Sequence, residues 1–106
     1  MTLMNLLKSL FPIERFKVVG TSMIPGIGAG QYLLVAKKSF LFNKPKKSDI
    51  IILKQPINRR KIVKRVFKVL ENKYFVLGDN LRESTDSRFF GSVKQKDILG
   101  KVLFTI

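Results

Sequence analysis

Residues 61–70 read KIVKRVFKVL, and residues 73–77 read KYFVL. Both runs are rich in β-branched and aromatic residues and are bounded by polar residues, a pattern that is typical of β-strands. Four more runs of this kind lie before and after them, at residues 15–19, 31–38, 49–54 and 98–106. No segment of helix length separates these runs. Short strands divided by turn residues predict an all-β fold, a small antiparallel β-barrel or β-sandwich.

Two polar stretches bounded by glycines interrupt the strands, at residues 20–30 and 78–91. Both are longer than a simple connection between strands requires. Functional residues concentrate in loops of this kind, because a rigid scaffold holds them in place. We therefore expect the functional residues in these two loops.

The composition restricts the chemistry that the chain can perform. Its 106 residues form a single domain, since two cores would each be too small to bury enough apolar surface. Cysteine and histidine are absent, which excludes disulfides, thiolate nucleophiles and Ser-His-Asp triads, and nearly every structural zinc site. Any general base must be Lys, Asp, Glu or Tyr, and we expect neither a metal nor a cofactor.

The chain carries a formal net charge of +14, which attracts it to polyanionic surfaces. Basic residues cluster at positions 44–47 and 59–61, but no aromatic residues are interleaved with them to stack on bases. This weakens a nucleic-acid interpretation. Two interpretations stay open for the clusters, a solvated basic surface and peripheral contact with an anionic membrane.

The first 13 residues form an N-terminal segment distinct from the predicted core at residues 14–106. Four leucines recur at helical spacing, and Pro12 ends the pattern; they are Leu3, Leu6, Leu7 and Leu10. We expect a short amphipathic helix that either lies at a lipid interface or docks on the core. No run reaches the roughly 20 apolar residues that a membrane-spanning helix needs.

Ser22 and Lys64 are the candidate catalytic residues. Ser22 follows a predicted strand, with Gly20 before it and Pro25 after it, so a constrained turn can present its hydroxyl. Without histidine, a neutral lysine is the plausible base to activate a serine, and burial favours the neutral form by lowering the lysine pKa. Strand alternation puts Ile62 on the same face as Lys64, together with Val66. From these residues alone, two non-catalytic roles stay open: Ser22 could cap a turn, and Lys64 could lie on a solvated face of its strand.

From about residue 16 onward, the chain resembles the type I signal peptidases, which are serine peptidases with a Ser-Lys dyad. Four motifs occur in the same order as in that family. They are GTSMIP at residues 20–25, KRV at residues 64–66, GDN at residues 78–80 and STDSRFFG at residues 84–91. Three strand segments resemble the family as well: GQYLLV at residues 30–35, SDIII at residues 48–52 and DILGKV at residues 97–102.

The resemblance implies a role for each matched residue. Ser22 would be the nucleophile, Lys64 the general base and Ser84 the hydroxyl that orients the lysine amine. The oxyanion would rest on the backbone N–H of Ser22, with that of Thr21 as a further donor.

Two ion pairs of the family have counterparts here. Arg65 with Asp79, and Asp86 with Arg88, would fix the second loop against the catalytic strand. Their role would be structural, and loss of one partner of a buried pair is strongly destabilising.

The chain departs from the family in several features, among them Pro25-Gly26-Ile27 in the first loop and residues 81–83 in the second. Gly20 stands where one branch has a hydroxyl for the oxyanion. The large insertion between the lysine strand and the second loop is reduced to residues 67–77, and we expect no membrane anchor. Such a core resembles the small maturation peptidases of the same clan.

By this resemblance the protein cleaves signal peptides or propeptides from precursors after small residues, and binds the substrate as an extended strand. We expect a monomer without a specific nucleic-acid partner, located peripherally on the outer face of the cytoplasmic membrane or, alternatively, in the cytoplasm. Two other functions stay open: a self-cleaving repressor-like domain with the same dyad, and a basic nucleic-acid-binding β-barrel without catalysis. Residues 1–15 are too short for the DNA-binding domain that usually accompanies the repressor-like proteins.

Overall fold

The computed structural model describes residues 2–3, 12–37 and 44–106. The predicted amphipathic helix lies outside the described residues, apart from Thr2 and Leu3, and stays a prediction, as does the division at residue 13. Among the described residues, no helix has the length and apolar character that crossing a bilayer demands.

The described residues form seven antiparallel strands, which confirms the predicted all-β class. The strands are β1 (Ile13–Lys17), β2 (Tyr32–Lys37), β3 (Ile50–Lys54), β4 (Lys61–Leu70), β5 (Lys73–Leu77), β6 (Val93–Lys94) and β7 (Ile98–Thr105). Within residues 12–37 and 44–106, helical structure is limited to one short helix, α1 (Ser87–Phe90), and two 3₁₀ turns, Leu81–Glu83 and Gln95–Asp97.

All seven strands belong to one curled sheet in the order β1-β2-β7-β3-β4-β5-β6. β7 lies in the middle of this sheet, where it pairs with β2 on one side and with β3 on the other. Among the described strands, the hairpin of β1 and β2 is therefore hydrogen-bonded to the rest of the sheet through β7 alone.

Two apolar clusters form the core of the described residues. The first gathers around Met23 and Leu33, and the second around Leu53 and Val76. β4 contributes to both, with Val63 in the first and Val66 in the second. Full burial of each such side chain contributes roughly 1.5–3 kcal/mol, so β4 is held firmly from both sides. Lys64 lies between these two anchors.

The outer half of β4 is exposed. A register shift between Val66 and Lys68 interrupts its pairing with β5. Beyond the shift, Phe67 packs edge-to-face on Phe75 with ring centroids 6.4 Å apart, while more than half of the Phe67 surface faces solvent. The half of β4 that contains Lys64, residues 61–66, is thus the half that the core supports.

Candidate active site

Ser22 and Lys64 line the same cleft, although they are 42 positions apart in the sequence. Ser22 lies in the turn that follows β1, and Lys64 lies in the supported half of β4. The described hydrogen bonds include none between the Ser22 hydroxyl and the Lys64 amine. In proteins without substrate, catalytic hydrogen bonds are often long and tighten only when substrate binds.

Lys64 is buried, with only 4% of its surface exposed. Its Nζ donates a hydrogen bond of 3.0 Å to Ser84 Oγ. Burial lowers the pKa of the Lys64 amine, and although nearby Asp86 opposes this, the charge of Arg88 adds to it. The amine is therefore shifted toward its neutral form, the form with a lone pair that can accept a proton.

Asp86 holds Ser84 in place. Its buried carboxylate accepts hydrogen bonds from Ser84 Oγ at 2.8 Å and from the Gly78 N–H at 3.0 Å, and it pairs with Arg88. Burial alone would raise the pKa of Asp86, but hydrogen bonds from Arg88, Gly78 and Ser84 outweigh it and lower the pKa to about 2. Asp86 therefore stays ionised and keeps the Ser84 proton directed toward itself. The Ser84 oxygen is then available to accept from Lys64.

Gly78 lies where the two functional loops touch. A Cβ at this position would come within 2.2 Å of Ser84 Oγ and 2.6 Å of the Ser22 carbonyl oxygen. Contacts this close do not occur between real atoms, so any larger residue would push the two serines apart. The sequence motif included Gly78, but sequence reasoning gave it no role.

Asn80 also connects the two loops, and sequence reasoning missed its role. Its backbone N–H donates to the Ser22 carbonyl at 2.8 Å, and its Nδ2 donates to the Thr21 carbonyl at 3.0 Å. The GDN motif was the signal that marked this residue. The Thr21 carbonyl and the Ser22 N–H belong to one trans peptide, so they point in opposite directions. By fixing the carbonyl, Asn80 fixes the direction of the Ser22 N–H.

The two predicted oxyanion donors have no protein acceptor among the described hydrogen bonds. Neither the Thr21 N–H nor the Ser22 N–H donates to another described group. Gly20, just before them, adopts φ +87°, a conformation that side chains with a Cβ rarely adopt. The turn therefore leaves two backbone donors available beside the Ser22 hydroxyl.

Both expected ion pairs are present in the structure. Arg65 binds Asp79 in a bidentate manner, with Nε to Oδ1 and Nη2 to Oδ2 both at 2.9 Å, and its Nη1 also donates to the Ser48 carbonyl. Arg88 binds Asp86 and reaches the Leu81 carbonyl. Their assigned role in fixing the loop stays a prediction. Across the described part of the chain, no group of three or more Asp or Glu side chains is arranged to hold a metal ion.

Comparison with known proteins gives a family match over the whole chain. Two segments, residues 1–69 and 67–106, match the family model described as signal peptidase, peptidase S26. The chain belongs to the signal peptidase family. Membership in this S26 family confirms the resemblance drawn from the motifs and assigns the protein to the serine-type endopeptidases, a class of hydrolases.

Individual relatives of this signal peptidase family member come from distant organisms. The chain is 56% identical over 36 residues to signal peptidase I of Buchnera aphidicola subsp. Baizongia pistaciae, covering 34% of this chain and 12% of that protein. It is 28% identical over 138 residues to signal peptidase I V of Bacillus subtilis, covering 82% of both. It is 32% identical over 111 residues to the mitochondrial ATP-independent inner membrane protease subunit 1b of Arabidopsis thaliana, covering 82% of this chain and 66% of that protein.

The Bacillus and Arabidopsis relatives are longer than this S26 chain within the matched region. The alignment with the Bacillus protein runs over 138 residues, more than the 106 of the whole chain, so the relative holds residues that are missing here. The two segments of the family match meet at residues 67–69, in the exposed outer half of β4. This is the region in which the sequence predicts a reduced insertion.

Proposed function

We propose that this protein cleaves signal peptides or propeptides from precursor proteins, with Ser22 as nucleophile and Lys64 as general base. The observation that carries the proposal is the buried amine of Lys64, which is hydrogen-bonded to Ser84 and lines the same cleft as Ser22. A lysine of lowered pKa beside a serine is the arrangement that a Ser-Lys mechanism requires.

The reaction begins with the neutral amine of Lys64 taking the proton of the Ser22 hydroxyl. The Ser22 oxygen attacks the peptide carbonyl carbon, and the N–H groups of Ser22 and Thr21 donate to the oxyanion that forms. The C–N bond then breaks, and the Lys64 ammonium gives its proton to the leaving amine. Water then attacks the resulting ester while Lys64 accepts one of its protons. The C–O bond to Ser22 breaks, the Lys64 ammonium returns that proton to the Ser22 oxygen, and the acid product leaves.

Ser84 orients the lysine amine during these steps. The neutral amine has two protons and one lone pair, and one proton is used in the hydrogen bond to Ser84. Because the Ser84 hydroxyl already donates to Asp86, it does not compete for the lone pair. The lone pair is thereby left for Ser22, so Ser84 and Asp86 act as positioning residues.

The substrate binds as an extended strand in the cleft between β1 and β4. β1 is an outermost strand of the sheet, so one side of its backbone is open to pair with a peptide. Phe16 and Val63 line the cleft, and the adjoining Val18 is buried in the core. This apolar lining suits small substrate side chains on the N-terminal side of the bond that is cut.

The protein acts as a monomer at the outer face of the cytoplasmic membrane, held peripherally by its charge. The net charge of +14 supports attraction to anionic lipid headgroups. The Arabidopsis relative is named as an inner membrane protease subunit, which also favours a membrane location. A cytoplasmic location is the alternative, and recovery of the protein from washed membranes against the soluble fraction separates the two.

The activity is tested by incubating the protein with a set of precursor peptides and identifying the products by mass spectrometry. We expect one cut after a small residue, abolished in Ser22→Ala. Ser92→Ala removes a hydroxyl that does not line the cleft and serves as the matched control. Equal cleavage by Ser22→Ala, or no cleavage of any precursor by the unmodified protein, would overturn the proposal.

A further inference from the structure

The catalytic cleft continues into a second recess at its far end. Phe16 and Lys61 line both the cleft and this recess. The floor of the recess is apolar and consists of Val35, Ile52 and Leu99. A substrate that lies along β1 therefore passes from Ser22, across Phe16, to the recess.

Cations outnumber anions at the rim of the recess. Arg15, Lys37 and Lys61 line it, with Glu14 as the sole acidic residue among the described lining residues. Lys37 binds Glu14 at 2.8 Å, so this carboxylate is already in use. The hydrogen bond and charge of Lys37 lower the pKa of Glu14, and the charge of Lys61 adds to this, so Glu14 stays ionised and the rim still has an excess of positive charge.

Lys61 is close enough to Glu14 to act on it through its charge, but that carboxylate is bound to Lys37, and Lys61 forms no ion pair among the described residues. Its cross-strand neighbour on β3 is another cation, Lys54. Like charges opposite each other on a sheet repel. An anion placed between the recess and Lys61 would relieve this repulsion.

The other end of the cleft has a different charge. Glu83 lines it beside Ser22 and Lys64, while the recess end carries Lys61. A charged side chain on the substrate will therefore be attracted or repelled according to which end of the cleft it occupies.

We propose that the recess is a subsite for an acidic side chain of the substrate, with Lys61 as the residue that determines this specificity. The proposal rests on the proposed peptidase function. Lys61 and Lys64 are three residues apart on β4, which is roughly 10 Å along a strand. The acidic residue of an extended substrate therefore lies about three residues from the bond that is cut.

The test uses peptides built on a sequence that the protein cleaves. They differ only in having Glu or Lys at the third residue from the cut, with one pair for each side of the bond. We expect kcat/KM to favour Glu over Lys about two- to fivefold on one side, the range of an exposed ion pair. The ratio of kcat/KM for the Glu peptide to that for the Lys peptide should fall toward one in 1 M salt, where the Debye screening length is about 3 Å.

Lys61→Glu should reverse the preference. The control with the same change in net charge is Lys94→Glu, at an exposed position of β6 on the opposite edge of the sheet. A reversal in Lys61→Glu alone supports the subsite. Equal cleavage of both peptides by the unmodified protein, or the same change in both variants, overturns the subsite and leaves the peptidase proposal intact. Failure to cleave any peptide overturns the peptidase proposal and the subsite with it.

Discussion

Lys64 Nζ lies 3.0 Å from Ser84 Oγ, and Ser84 in turn lies 2.8 Å from the carboxylate of Asp86. A single hydroxyl therefore connects the proposed general base to a buried negative charge. This connection determines the direction of the amine, because a lysine side chain by itself has many rotamers of similar energy.

Ser84→Ala removes this connection and should lower kcat about a hundredfold or more, since general-base catalysis contributes roughly 10²- to 10⁴-fold. KM should change little, because Ser84 does not itself bind the substrate. Steady-state kinetics on a cleaved peptide measure both constants. Ser84→Thr keeps the hydroxyl and should recover part of kcat. A rise in KM with kcat unchanged would show that Ser84 shapes the substrate site instead.

The rate should rise with pH. Burial lowers the pKa of Lys64, so its neutral form increases as pH rises through a value below the usual 10.5. A plot of log kcat/KM against pH should have a slope near +1 and level off below pH 10.5. A rate independent of pH between 6 and 10 would exclude Lys64 as the base.

Lys64→Met should abolish cleavage and at the same time stabilise the fold. Methionine has nearly the same length, and it removes an amine whose charged form is penalised by burial. The free energy of unfolding at pH 7 should rise by about 1 kcal/mol, measured by urea denaturation. The exposed Lys68→Met on the same strand is the control and should leave stability almost unchanged. Lower stability in Lys64→Met would mean that the amine is a structural group.

Asn80→Asp should lower kcat about tenfold or more with little effect on KM. The substitution removes the Nδ2 donor that fixes the Thr21 carbonyl, and with it the direction of the Ser22 N–H toward the oxyanion. Asn72→Asp, in the exposed turn between β4 and β5, introduces the same charge change as a control. Equal activity losses in both variants would indicate a general charge effect.

Asp86 should stabilise the fold except in acid. Its pKa falls from 3.8 to about 2 on folding, so its contribution is complete above pH 4 and disappears as pH falls toward 2. The contribution is about 2 kcal/mol. The stability difference between the unmodified protein and Asp86→Asn, followed by urea denaturation, should therefore shrink between pH 4 and pH 2. A difference that stays constant over this range would contradict the assignment, and Glu71→Gln, at an exposed turn, provides the baseline.

The strands could be predicted well from the sequence, because hydrophobic and β-branched runs mark them directly. β4 and β5 have the predicted bounds, and the other four predicted strands differ from the observed ones by no more than two residues at either end. β1 ends at Lys17, not at Val19, because the chain leaves the sheet to form the Ser22 turn and exposes 88% of Val19. β6 and α1 were missed, since two or four residues are too short to show a periodic pattern.

The burial of Lys64 could not be predicted from strand alternation alone. Ile62 and Val66 share its face, but alternation does not tell which face is covered. The cover comes from the two loops, which meet through Asn80 and Gly78 far along the chain. The strand order could not be predicted either, because the local sequence does not indicate that β7 pairs between β2 and β3.

The position of β7 between β2 and β3 makes the assembly of the cleft depend on a single strand. Ser22 belongs to the hairpin on one side of this strand and Lys64 to the strands on the other. Without residues 98–105 in the sheet, the hairpin that precedes and follows Ser22 lacks the backbone pairing that connects it to the strand of Lys64. The cleft therefore depends on pairing along both sides of β7, although no residue of β7 is among the described residues that line it.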